Sequence, residues 1–127
     1  MGEQENRALA ERIWQSANQG EDFAAVLDDV LADDCVQEWP QSRERIRGKA
    51  NIIAINTNYP GLPKATVRNV RASERMVVTE VDLDYGGRPY HAVSIFEVEN
   101  GKVVHETDYF AEPFEAPQWR AQWVERY

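Results

Sequence analysis

The stretch MVVTEVDLDYGGRPYHAVSIFEVENGKVVHETDYFA, residues 76–111, decides the fold. Apolar and polar residues alternate along it with the period of two that marks half-buried strands. Two turns, Gly86-Gly87 and Asn100-Gly101, divide it into strands at about 76–85, 89–98 and 102–110. A two-residue loop at Gly86-Gly87 sets Tyr85 opposite Arg88. It then pairs Leu83 with Tyr90, Val81 with Ala92, Thr79 with Ser94 and Val77 with Phe96, giving one mostly apolar face. The opposite face carries Glu80, Asp82 and Asp84, and reads as the face turned to water.

The second turn leaves two registers open. A two-residue loop puts Glu99 opposite Lys102 and turns Val103, His105, Thr107 and Tyr109 inward. A three-residue loop with Gly101 as a bulge puts Val98 opposite Lys102. Val104, Glu106, Asp108 and Phe110 then face inward, with Asp108 beside Ala92. A one-residue slip exchanges the faces, and strand patterning does not choose between them. The choice matters because of Asp108, an acid set among aromatic and apolar residues shortly before Pro113. In such surroundings a carboxyl titrates above its usual value of about 3.9, which is how a general acid or base is made. The plain alternative is a solvated acid at a strand end.

Upstream of the meander the pattern is helical. Leu9, Ile13 and Ala17 share a face, with Ala10 and Trp14 beside them, and Gly20 ends this helix. Phe23, Val26, Leu27, Val30 and Leu31 form a second stripe, closed by Asp33-Asp34. Residues 35–39 read as a short strand ending at Pro40, and 41–47 as a polar loop. A third helix follows Gly48, with Ile52, Ile55 and Tyr59 on one face and Pro60 stopping it. A strand at about 65–73 precedes the meander. In the tail, Trp119 and Trp123 stand four apart, as on a short helix with an aromatic face. This order describes a single α+β domain over residues 1–127, with helices against one face of a curved antiparallel sheet.

Composition narrows the function. The 43% hydrophobic fraction supports a real core, and the formal charge of -8 argues against nucleic acid or an anionic membrane as partner. No apolar run reaches the ~18 residues of a membrane helix, and the N-terminal residues do not read as a signal peptide. The lone Cys35 reads as a buried small hydrophobe, which suits a reducing cytoplasm. There is no phosphate loop, dinucleotide fingerprint or Ser–His–Asp set, so no cofactor is expected. His91 and His105 fall on the outer sheet face with Val93 and Ile95, a pattern that suits a dimer surface better than a metal site.

Residues 31–40, LADDCVQEWP, then Arg47-Gly48 opening a helix, then Gly101 to Val104 with Asp108-Tyr109-Phe110, resemble the nuclear transport factor 2-like fold and within it the SnoaL-like branch. That superfamily includes polyketide cyclases, steroid isomerases and limonene-type epoxide hydrolases. The resemblance implies a cone with an internal pocket between sheet and helices, in a homodimer. In the hydrolases a strand ending Asp-Tyr-Phe supplies a catalytic Asp, which Asp108 matches, and this favours the bulged register. Their Arg and Asp on a neighbouring strand correspond to Val81 and Leu83, and their water-positioning Tyr and Asn to Val36 and Glu38. The isomerases' catalytic Asp before a Pro corresponds to Trp39, and their two oxyanion donors to Ile13 and Phe96. Neither constellation is intact, so little activity on simple epoxides is expected.

The candidate acids are therefore Asp108 and Glu38. Glu38 is either a pocket base or a residue at the exposed end of its strand, because it and Trp39 point to opposite sides. Glu106 shares the Asp108 face in the bulged register; it either couples to Asp108 or lies at the rim beside a cation. The expected pocket wall takes Trp39, Tyr59, Leu83 and Tyr90, together with Ser94, Phe96, Phe110 and Trp119. Two functions fit this reading. One is a cofactor-independent acid/base enzyme (isomerase, cyclase or hydrolase) acting on a hydrophobic small molecule, apolar or polycyclic. The other is a non-catalytic ligand-binding or dimeric accessory protein.

Overall fold

A computed structural model of the chain describes residues 2–19 and 22–127. Three helices, α1 (Glu3–Gln19), α2 (Phe23–Val30) and α3 (Lys49–Asn58), accompany six strands. These are β1 (Leu31–Trp39), β2 (Glu44–Arg47), β3 (Lys64–Ala72), β4 (Met76–Tyr85), β5 (Arg88–Glu99) and β6 (Lys102–Ala111). They form one sheet in the order β2-β1-β6-β5-β4-β3, with β1 parallel to β6 and the other neighbours antiparallel. The architecture is the expected α+β cone, a curved sheet wrapped around the N-terminal helices. Gly20, expected to close α1, lies outside the described residues.

The helices are fixed to the sheet by both packing and polar clamps. Ala10 and Ile13 of α1 and Val26, Leu27 and Val30 of α2 are buried in a core with Leu31, Cys35, Ile52, Val77, Phe96 and Val103. Asp22 caps α2 by accepting from the Ala25 amide at 3.0 Å, a contact worth about 1 kcal/mol. Asn6 donates to the Ser73 and Glu74 carbonyls at 2.8 and 2.9 Å, and the Asn18 side chain bonds the backbone of Ala65. Both ends of α1 are thereby tied to β3 and its turn. A second cluster, Ala65, Val81, Leu83 and Ala92, packs with Trp14, Tyr85, Tyr90 and Phe110.

Three local expectations change. β1 begins at Leu31, so Asp33 and Asp34 lie in a strand and not at a helix end. The supposed loop before Gly48 contains β2, held by buried Ile46 and paired from Val36–Arg47 to Trp39–Glu44. The tail forms a 3-10 helix, Gln118–Trp123, whose Trp119 and Trp123 are 73% and 71% exposed.

The β4–β5 hairpin has the register expected from Gly86-Gly87, down to Val77 opposite Phe96. The β5–β6 hairpin combines parts of both open alternatives. Asn100 and Gly101 both take positive φ, 52° and 75°, so the turn is tight and Glu99 faces Lys102. Val98 then faces Val103, but Glu97 faces His105, which leaves Val104 as the extra residue of a bulge. Beyond it Glu106, Asp108 and Phe110 turn inward opposite Phe96, Ser94 and Ala92. The bulge is therefore at Val104, not Gly101, and Asp108 stands opposite Ser94, not Ala92.

Candidate active site

A cavity of about 400 Å3 lies between the inner sheet face and the three helices. Ile13, Trp14 and Ala17 of α1, Phe23 and Leu27 of α2, and Ile55 and Asn56 of α3 form one side. Ile55 of α3 and Tyr59 just after it are 39% and 47% exposed because they line this opening, whereas Ile52 of the same stripe is buried in the core. Trp39, Leu83, Tyr85, Phe96 and Phe110 make most of the sheet side. The volume and the apolar, aromatic wall are those of a small-molecule site.

The polar floor is built by alternation on two parallel neighbours. On β1 the side chains of Gln37 and Trp39 point inward; on β6 those of Glu106 and Asp108 do. The register places Gln37 beside Glu106. The Gln37 amide donates to Asp108 Oδ2 at 2.5 Å and to Glu106 Oε2 at 3.0 Å, and the Trp39 indole donates to the same Asp108 oxygen at 3.1 Å. Asp108 Oδ1 is buried and accepts no bond from a neighbouring amide, indole or alcohol, and Gln37 Oε1 is likewise buried without a donor. Gln41 braces the end of β6 by bonding both the N–H and the C=O of Phe110, at 2.5 and 2.6 Å.

Electrostatics single out Glu106. Its carboxyl is pushed well above the ordinary value of 4.5, first by burial and then by the charge and hydrogen bond of Asp108; the Gln37 amide opposes the shift. Two carboxyls within reach of each other in an apolar cavity hold one proton between them. The group held protonated is Glu106, the coupled partner on the same face and not a rim acid beside a cation. No cation attends it: none of the described cavity-lining residues is Lys, Arg or His. A carboxyl driven toward its protonated form and a second carboxyl thus stand side by side, which is the minimum equipment for acid/base chemistry.

A family model described as a SnoaL-like domain matches residues 10–106. The chain belongs to the SnoaL-like domain family. The match ends at Glu106, just short of Asp108. A search of curated proteins finds no match. Among solved structures, this SnoaL-like domain is similar to an NTF-2-like protein of unknown function from Burkholderia xenovorans, at 41% identity and a TM-score of 0.89, covering 98% of this chain and 97% of that one. It is similar to a candidate ketosteroid isomerase from Kribbella flavida, at 35% identity and a TM-score of 0.85, covering 98% and 90%. An LEH-like epoxide hydrolase from M. tuberculosis is 26% identical with a TM-score of 0.70, covering 84% and 83%.

The structure brings Asp108, Trp39, Tyr59, Leu83, Ser94, Phe96 and Phe110 to the cavity wall. It does not bring Glu38, Tyr90 or Trp119. Glu38 points to the outer face, where Arg45 and His105 bond its carboxylate at 2.7 Å each and hold it below the usual range. Strand alternation explains this, since Trp39 takes the inner side. Tyr90 packs edge-on against Tyr85 at 5.3 Å, but its hydroxyl donates to Glu112 at 2.8 Å, away from the floor. Trp119 remains exposed beside Arg120. The residues that sequence reasoning misses are Gln37, Gln41 and Trp14, whose indole bonds Thr79 at 3.1 Å. Gln37 has a usable signal, because a residue two before an inward Trp39 must also face inward.

Proposed function

We propose that this SnoaL-like domain is a cofactor-independent acid/base enzyme that moves protons on a small apolar molecule held in the cavity. The observation that carries the reading is the state of Asp108. One oxygen is locked by Gln37 and Trp39, and the other is buried, unbonded to those donors, at the floor of an apolar cavity. Two fixed donors hold the carboxylate plane in place, so that Oδ1 can take a proton from a bound molecule. Protonated Glu106 beside it returns a proton to a second position. The substrate then changes its bonding without gaining or losing atoms, as in an isomerisation. The same pair would serve a cyclisation that passes through an enol. The likeness to a candidate ketosteroid isomerase at 35% identity supports proton transfer next to a carbonyl.

Solvent exchange tests this whatever the native substrate is. Mono- and polycyclic carbonyl compounds, with and without neighbouring hydroxyls, are incubated with the protein in deuterium oxide and followed by mass spectrometry. Deuterium uptake at carbon that depends on Asp108 is expected. Uptake no greater than with the Asp108→Asn protein across the whole panel would remove the enzymatic reading and leave a ligand-binding protein.

The protein is further proposed to pair with a second copy through its outer sheet face. Val78, Val93 and Ile95, only partly buried, and exposed Tyr109 lie together there on β4, β5 and β6, uncovered by any described helix.

A further inference from the structure

The hydrogen bonds of the cavity floor are unbalanced. The amide and indole nitrogens around it are already donating: Gln37 to Glu106 and Asp108, Trp39 to Asp108, Trp14 to Thr79, Gln41 to Phe110 and Asn56 to Ile52. The one carboxyl proton, on Glu106, goes to Asp108. Gln37 Oε1 is left without a donor, and Asp108 Oδ1 accepts from none of these nitrogens, on side chains only 7% and 3% exposed. They belong to one cluster, because the nitrogen of the same Gln37 amide donates to the other oxygen of Asp108. The reverse orientation of that amide would take away the N–H groups that Asp108 and Glu106 both accept from, so its oxygen is the atom turned away from the two carboxyls. An unpaired buried acceptor is unfavourable, the more so when it carries charge. A carbonyl or carboxylate brought to this floor would add a further acceptor where Gln37 Oε1 already lacks a donor.

We infer that the polar end of the ligand is a hydrogen-bond donor, a hydroxyl or an ammonium group carried on an apolar ring system, that bonds Gln37 Oε1 or Asp108 Oδ1. This deepens the acid/base reading and rests on it only for where the ligand sits. The aromatic wall of Trp39, Phe96 and Phe110 holds the rings and accepts either a neutral or a cationic donor.

Matched bicyclic probes test the inference by titration calorimetry: naphthol, naphthylmethylamine, naphthyl methyl ether, acetylnaphthalene and naphthoate. Naphthol or the amine should bind at least about tenfold more tightly than the ether and the ketone, which have the same rings and no donor. Which of the two leads tells the neutral donor from the charged one. Asp108→Asn, which places a donor at the floor, should narrow the gap to less than about threefold. Gln37→Met, which removes Oε1 at similar length, should narrow it in part. The inference is overturned if the ether, the ketone or naphthoate binds as tightly as the donors, or if none of the five saturates. Donor preference without catalysed exchange would count against the enzymatic reading alone. Asp108-dependent exchange on molecules that bind through a bare ketone would count against this inference alone.

Discussion

Ser94 and Asp108 are direct cross-strand partners on β5 and β6, both turned into the cavity and exposed by only 1% and 3%. The pairing depends on the bulge at Val104. Without that extra residue the tight Asn100-Gly101 turn would carry Thr107 and Tyr109 inward and put Asp108 on the outer face. The position of the candidate base is thus set near the hairpin turn, several residues before it. Glu106 passes through the same bulge, so the two carboxyls arrive on the inner face together.

Asp108→Asn should keep the fold and lose the chemistry. Asparagine is nearly isosteric, and its oxygen can still accept from Gln37 and Trp39. Deuterium exchange or turnover should fall by typically ~100- to 10,000-fold, while the thermal midpoint moves by only a few degrees. A merely structural Asp108 would give the opposite result, a marked loss of stability with ligand binding unchanged. Parallel thermal unfolding and exchange assays separate the two.

Much of this is legible in the sequence because turn chemistry and strand alternation are local. Gly86-Gly87 dictates every pair from Tyr85–Arg88 to Val77–Phe96. Asn100-Gly101 is legible as a turn, yet the bulge after it is not, because Val103 and Val104 carry the same side chain and no pattern marks which is extra. β2 is hidden by its composition: three of its four residues are charged, and only Ile46 is buried. The site is half legible for a similar reason. Acids attract attention as catalysts, so Glu38 stands out, whereas its neighbour Gln37 reaches the floor. Glu106 is recognisable as sharing the face of Asp108. That its carboxyl is driven upward follows from three-dimensional burial that sequence spacing does not contain.

Ile95→Lys should separate the proposed dimer. Ile95 stands between Val78 and Thr107 on the outer face, beside Val93 and its partner Tyr109. A lysine there keeps its charge in water on a monomer and would bury it unpaired in a symmetric interface. Sedimentation at micromolar concentration should show the wild type as a dimer and the variant as a folded monomer. A wild type that is monomeric throughout would end this proposal.

Limonene oxide should turn over at well under about 1 per second, a slow rate for an enzyme. The hydrolases that the chain resembles bridge two acids with an arginine, and the positions that correspond are Val81 and Leu83, both buried. The acid pair that does exist here, Glu106 with Asp108, is bridged by a neutral amide. Gas chromatography of the diol product measures the rate. Turnover at ordinary enzymatic speed would show that an amide suffices in place of the guanidinium.

Glu106 should make the folded protein less stable as pH rises. Its carboxyl keeps its proton well above 4.5 in the folded state, through burial and the charge of Asp108. In the unfolded chain the same group ionises at about 4.3. Between those two points the folded protein binds more protons, so its stability is full below the lower value and is lost as pH climbs toward the upper one. The slope cannot exceed about 1.4 kcal/mol per pH unit for one proton. Carboxylates held low by cations, Asp29 by Arg12, Asp33 by Lys49, Glu38 by Arg45 and Asp82 by Arg68, work in the other direction. Their contribution is lost only as pH falls below about 4, outside this window. Urea unfolding midpoints taken from about pH 4.5 upward, for the wild type and for Glu106→Gln, isolate the effect. The wild type should weaken steadily while the variant stays flat, because glutamine has no proton to lose. If Glu106 is also the proton donor, the alkaline limb of the pH–rate profile should fall in the same window and disappear in Glu106→Gln. Parallel wild-type and variant stability curves would mean that Glu106 titrates like an ordinary surface acid, and that the two carboxyls do not share a proton.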